Sequence, residues 1–209
     1  MNNQLHYIYD PLCGWCYAAA PLIRAAASIP TLEIQLHGGG LWIDENRKAL
    51  GKDLRDYVKP MDEHIRALTG QPFGDRYFNE LLLNSNYVLD SEPLIKAILA
   101  VEQAKGDPLK MLQRIQQTHY RDGRWTGDRK IIAALAAEQN ISEAEFSDAI
   151  KQMNVRDHIN ESRKLMAALQ VSGYPSLALQ QDDHWILISL NAFLGKVDDF
   201  KKHLEALMK

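Results

Sequence analysis

Residues 5–17 read Leu5-His6-Tyr7-Ile8-Tyr9-Asp10-Pro11-Leu12-Cys13-Gly14-Trp15-Cys16-Tyr17, and the reading of this stretch decides the fold. Leu5 to Tyr9 is a short aromatic and β-branched run, which predicts a strand. The pair Asp10-Pro11 ends it in a turn. Tyr17-Ala18-Ala19-Ala20-Pro21-Leu22-Ile23-Arg24-Ala25-Ala26-Ala27 follows; its alanine content predicts a helix, with a kink expected at Pro21. Leu32-Glu33-Ile34-Gln35-Leu36 then alternates apolar and polar residues with period two, a second strand. Two strands joined by a helix of this length make a βαβ unit, so the strands should run parallel. Both cysteines sit at the junction of the first strand and the helix.

Working outward, the chain has 209 residues, enough for one large domain or a small one carrying an insert. Apolar and charged fractions of 46% and 24% are ordinary for a globular protein. The net charge of −3, without a long run of one sign, gives no basic footprint for nucleic acid. No stretch approaches a membrane span. The first ten residues lack the basic and apolar regions of a signal peptide, so the expected compartment is the cytoplasm unless a leader has been removed.

From about residue 41 to 159 no convincing strand is visible, and helical segments follow one another. Leu54, Tyr57, Val58, Met61, Ile65 and Leu68 recur at helical spacing over residues 53–68. Further helices are expected at 73–83, at 92–104 with Ser91 as N-cap, at 108–120, at 128–139, and at 142–153 behind a Ser142/Glu145 capping box. The end returns to helix (156–169), turn (171–175), strand (176–180), hairpin (181–183), strand (185–188) and a last amphipathic helix (196–208). The expected architecture is α/β: one domain made of residues 1–41 and 156–209, interrupted by an all-helical insert at 42–155.

Only two cysteines are present. A structural disulfide framework needs more, and a zinc site of paired Cys-x-x-Cys type needs a second ligand pair. Two unrelated buried cysteines are the bland alternative. A thiol attacks as its thiolate, and a helix N-terminus favours that anion. Cys13 lies just before the helix and Cys16 within its first turn, so Cys13 is expected to attack and Cys16 to resolve the mixed disulfide.

Residues 9–17, with Asp-Pro and then Cys13-Gly14-Trp15-Cys16 before an aromatic, resemble the DsbA-like thioredoxin superfamily, especially its FrnE-type cytoplasmic branch and the related protein-disulfide isomerases. Tyr120-Arg121-Asp122-Gly123-Arg124 and Val171-Ser172-Gly173-Tyr174-Pro175-Ser176 resemble two further segments of that family, in the same order. The sequence departs at Gly14, where the FrnE branch usually carries proline, and at Ser176, where it carries threonine. The resemblance implies a cis Tyr174–Pro175 bond, with Pro175 against the Cys13 sulfur and the Tyr174 backbone turned to a bound peptide. It implies that the domain of residues 1–41 and 156–209 has a thioredoxin-like fold, and that the chain is a thiol-disulfide oxidoreductase acting as protein-disulfide reductase, isomerase or oxidase. Its partners would be protein or peptide thiols and disulfides, with glutathione a further candidate, and it would need no cofactor and no metal.

Trp15 reads either as a substrate contact or as a plain surface aromatic on an exposed turn, and Tyr17 as core. Asp10 reads as a turn residue, because a nearby carboxylate would oppose the thiolate. The seven histidines are scattered without ligand spacing and read as structural or surface residues. Gly38-Gly39-Gly40 lacks the ending of a phosphate loop and reads as a hinge into the insert. Two other functions stand beside the first. One is a glutathione-dependent transferase or isomerase of the kappa or hydroxychromene-carboxylate-isomerase type, which the intact Cys pair argues against. The other is a non-enzymatic binding module.

Overall fold

The structure, a computed structural model, describes residues 3–209. Strand β1 (Asn3–Tyr9) leads through a turn into helix α1 (Gly14–Ala27), which runs as one helix through Pro21 and returns as strand β2 (Leu32–Gly38). β1 and β2 pair in parallel from Asn3 opposite Leu32 to Tyr9 opposite Gly38. Leu5, Tyr7, Ile8 and Tyr9 are each at most 1% exposed, which is why β1 reads as a continuous apolar run and not an alternation.

The middle of the chain is nearly all helix: α2 (Lys52–Thr69), α3 (Asp75–Asn79), α4 (Glu92–Gln103), α5 (Pro108–Gln116), α6 (Arg129–Ala137) and α7 (Glu143–Gln152). One correction applies. Strands β3 (Lys48–Ala49) and β4 (Val88–Leu89) form an antiparallel ladder, too short to leave a period-two pattern in sequence. The chain beyond α5 widens into a π-helical turn, Gln117–Arg121. Ser142 and Glu145 form the expected capping box of α7. Ser91 makes no capping bond; its Oγ accepts from the Trp42 N–H instead.

Helix α8 (Val155–Ala168), strands β5 (Ser176–Gln181) and β6 (His184–Ile188), and helix α9 (Val197–Leu207) close the chain. The sheet order is β2-β1-β5-β6, with β5 antiparallel to both of its neighbours. Helices α2, α5 and α9 all pack on α1, so one apolar core runs from the sheet through α1 into the helical region. The N-terminus of α1 therefore opens between the sheet and the helices, with α2 beside it.

Candidate active site

Asp10 begins the turn that presents the cysteines. Its Oδ1 accepts from the Leu12 N–H at 2.9 Å, and its carbonyl accepts from the Cys13 N–H at 3.2 Å. The Trp42 indole N–H donates to the Leu12 carbonyl across the turn. Cys13 is the N-cap of α1 in extended conformation, and the first turn of α1 contains no acidic residue of its own. The unpaired N–H groups there present partial positive charge to the Cys13 side chain. Both thiols are free; Cys13 is 7% exposed and Cys16 is sealed at 0%. Burial pushes the Cys16 thiol well up, and its hydrogen bond with Cys13 adds to the effect. The Asp10 N–H donates to Cys16 Sγ at 3.4 Å.

The Tyr174–Pro175 peptide bond is cis. The Tyr174 carbonyl accepts from Cys13 Sγ at 3.6 Å, across 161 positions of sequence. That carbonyl is held from behind. The Tyr174 ring lies flush on Gly39, where any side chain would run into it. Arg163 of α8 donates to the Gly39 and Gly40 carbonyls at 3.0 and 2.9 Å and bonds the Tyr174 side chain. A Cβ on Gly38 would meet Ile95 at 2.8 Å. The glycine triplet is thus a close-packed seat for Tyr174 and not a hinge; the distant partner that requires its glycines is invisible in local sequence.

Trp15 lies within the first turn of α1, half-buried, and not on an exposed turn. Its indole N–H donates to Met61 Sδ, and its ring meets the edge of His64. A cleft of about 760 Å³ opens beside the cysteine pair, lined by Trp15, Leu68, Tyr174, Pro175, Leu187 and Leu194 among others. Leu68 and Leu187 are 44% and 54% exposed along its wall. Tyr17 is core: it stacks on Tyr120 at 4.9 Å and donates its hydroxyl to the Pro72 carbonyl. All five expected site residues, Cys13, Trp15, Cys16, Tyr174 and Pro175, therefore meet at one end of the sheet.

Two buried acids belong to the same neighbourhood. Asp10 is the turn residue expected, but it is also wholly buried. Its Oδ2 accepts from the Leu41 N–H at 2.6 Å, and Ser91 supplies a further donor. Burial pushes its carboxyl up to about 6 against these bonds. Asp62 of α2 escaped the sequence reading. It is 4% exposed, accepts from the Tyr77 hydroxyl at 2.8 Å, and is pushed by burial up to about 7. The only trace it leaves in sequence is the glycine at position 14 that it packs against.

The histidines are less scattered in space than in sequence. His6 bridges His37 and Gln180 at 2.9 Å each, and His158 Nε2 accepts from the Gly38 N–H. Burial holds His37 down near 4. No group of three or more potential ligands that could hold a metal exists among the described residues.

A cysteine pair at the head of a helix in a sheet of this topology, with the carbonyl of the residue before a cis-proline against the outer sulfur, defines a thioredoxin-fold thiol-disulfide oxidoreductase. The sequence model of the DSBA-like thioredoxin domain matches residues 4–204, and the chain belongs to that family. It superposes on the cytosolic disulfide reductase DsbM from Pseudomonas aeruginosa with a TM-score of 0.90 and 41% identity, over 98% of both chains. The structure of DsbM with GSH gives a TM-score of 0.88 and 40% identity, again over 98% of both chains. A 2-hydroxychromene-2-carboxylate isomerase superposes at 0.60 with 15% identity over 99% of both chains, a likeness of fold alone. No curated protein sequence matches the chain. The chain is a thiol-disulfide oxidoreductase of DsbA-like fold.

Proposed function

We propose that this enzyme is a disulfide reductase of the cytoplasm, working on protein or peptide disulfides and re-reduced by glutathione. The observation that carries the reading is the asymmetric pair itself: Cys13 at the helix head, bonded to the carbonyl of the cleft-lining Tyr174, with Cys16 sealed behind it. The Cys13 thiolate attacks one sulfur of a disulfide R–S–S–R′. The Cys13–S–S–R bond forms and R′S⁻ leaves. Cys16 then gives up its proton and attacks the Cys13 sulfur, RS⁻ leaves, and the Cys13–Cys16 disulfide remains. Two molecules of glutathione would return it to the dithiol, leaving glutathione disulfide. The name of the 41% identical relative supports the compartment and the direction, and the complex of that relative with GSH supports the donor.

In this reading Trp15 and Tyr174 contact the substrate at the cleft, and Pro175 holds the Tyr174 backbone toward it. Residues 1–41 and 156–209 form the redox domain, and residues 42–155 the insert that walls the cleft. The isomerase-like alternative shares the fold but has no use for a second thiol. The experiment is a non-reducing gel of both cysteine variants after incubation with lysate, with insulin reduction by glutathione assayed alongside. Cys16→Ser should accumulate dithiothreitol-sensitive adducts on Cys13, and Cys13→Ser none. Absence of adducts together with no acceleration of insulin reduction would overturn the proposal.

A further inference from the structure

The turn that carries the redox pair has a residue without a side chain at Gly14, and the space beside it is taken. A Cβ built on Gly14 would stand 2.7 Å from Asp62 Oδ1 and 3.3 Å from Ile65 Cδ1. Both contacts come from α2, one turn apart. The carboxyl of Asp62 is thus pressed against the backbone between Cys13 and Trp15, at the N-terminus of α1. Its other oxygen is fixed by the Tyr77 hydroxyl of α3 at 2.8 Å. A buried carboxyl with a single donor beside a reactive thiol is costly unless it has work to do, since carboxylates are rarely this buried without a counter-charge. Among the described residues no cation pairs with it, and the bond from Tyr77 is the one interaction there that favours its charged form.

We propose that Asp62 is a positioning residue for the redox pair. Its carboxyl fills the place a side chain at Gly14 would occupy and, by exchanging a proton, sets how readily Cys13 reacts. The inference rests on the reading of Cys13 as the attacking thiol. When Asp62 is protonated, α1 offers its N-terminal field to the thiolate alone. When Asp62 is ionised, it takes part of that field and repels the thiolate, because a like charge disfavours the charged form. The titratable group that touches Asp62 is Tyr77 of α3; Tyr120 of the π-helical turn packs ring to ring with Tyr77 at 5.2 Å, and Cys13 precedes the Gly14 backbone that the carboxyl is pressed against. Tyr120 is close enough to feel the charges of Tyr77, Asp62, Cys13 and Asp10, each of which adds to the upward push of burial on its hydroxyl. On its own helix, His64 turns away to Trp15. Burial leaves the Asp62 carboxyl changing charge close to neutral pH, so the effect falls where the enzyme works.

The test is the rate of iodoacetamide labelling at Cys13 against pH from 5 to 9, in the reduced protein, read by mass on the Cys13 peptide. In the wild type the rise with pH should be spread over more than one ionisation, because Asp62 charges as the thiol does. Asp62→Asn should give a single ionisation displaced to lower pH, and labelling about threefold to tenfold faster near pH 7.5. Tyr77→Phe removes the one donor that favours the charged carboxyl, so its profile should fall between the two. A loosened site would scale the rates at every pH and would not shift the profile. Profiles that superimpose, or differ only by a constant factor, overturn the proposal while leaving the redox reading intact. No labelling of Cys13 in the wild type rejects that reading and the proposal with it.

Discussion

Asp10 offers a sharp test of the electrostatics under the site, through Asp10→Asn. The wild-type carboxyl is wholly buried and sits at about 6 in the fold against 3.8 for a free aspartate. Between those values the folded chain holds a proton that the unfolded chain has lost. Folding stability from this group is therefore present below pH 4 and declines as pH rises through the window. The full span of 6 − 3.8 = 2.2 units corresponds to about 3 kcal/mol, of which about 2.5 kcal/mol falls between pH 4 and pH 7.5. Asparagine carries no charge at either pH. It keeps one acceptor for the Leu12 or Leu41 N–H and sets an amide against the other, a loss of about 1–3 kcal/mol that does not depend on pH. The deficit of Asp10→Asn should thus be larger by about 2.5 kcal/mol at pH 4 than at pH 7.5. Urea unfolding of the reduced proteins, followed by tryptophan fluorescence at both pH values, measures it. A deficit that is the same at both, or that grows with pH, would refute the placement of a buried, weakly acidic carboxyl under Cys16.

Gly39→Ala drives a methyl group into the Tyr174 ring; a destabilisation of about 1–3 kcal/mol and a drop in insulin reduction should appear together in melts and turnover assays. Trp15→Ala opens the cleft wall and should raise KM for insulin more than it lowers kcat, which steady-state kinetics will separate. Ser142→Ala removes the capping box of α7, far from the cysteines, and should cost about 0.5–2 kcal/mol in urea unfolding while turnover stays at the wild-type rate.

The redox pair was legible because its chemistry is local. Cys13, Gly14, Trp15 and Cys16 are neighbours, and a strand before them with an alanine-rich helix after them fixes where they stand. The same holds for the elements: the period-two run at Leu32–Leu36 and the capping box at Ser142 are short-range signals, and both structures formed where expected. What stayed hidden depends on distant pairs. The glycine triplet reads as a breaker until Tyr174 and Arg163 arrive from the far end of the chain. Ser91 looks like a cap until the Trp42 N–H and the Asp10 carboxyl claim its hydroxyl. His6, His37 and His158 are separated by up to 152 positions (158 − 6) and meet only because β1, β2 and α8 pack side by side.

Asp10 shows how a sound local argument can stop short. A carboxylate near Cys13 should oppose the thiolate, which favours reading Asp10 as a turn residue and nothing more. That argument assumes a carboxylate that is charged whenever the enzyme is active. Burial removes the assumption: it lifts Asp10 to about 6 and Asp62 to about 7, so each acid spends part of the working range as a neutral group. A neutral acid leaves the field of the α1 N-terminus to the thiol, and it holds a proton that the exchange reactions must move. In the proposed reaction Cys16 must lose its proton to resolve the mixed disulfide, yet burial pushes that thiol well up. The same desolvation that makes Cys16 reluctant makes the neighbouring Asp10 carboxylate a better proton acceptor, since a base gains strength as its acid weakens. The apolar core around α1 is thus the common cause of three shifts. Within the proposed reaction, an acid buried with the redox pair suits the resolving step better than a carboxylate in water, which would be the weaker base.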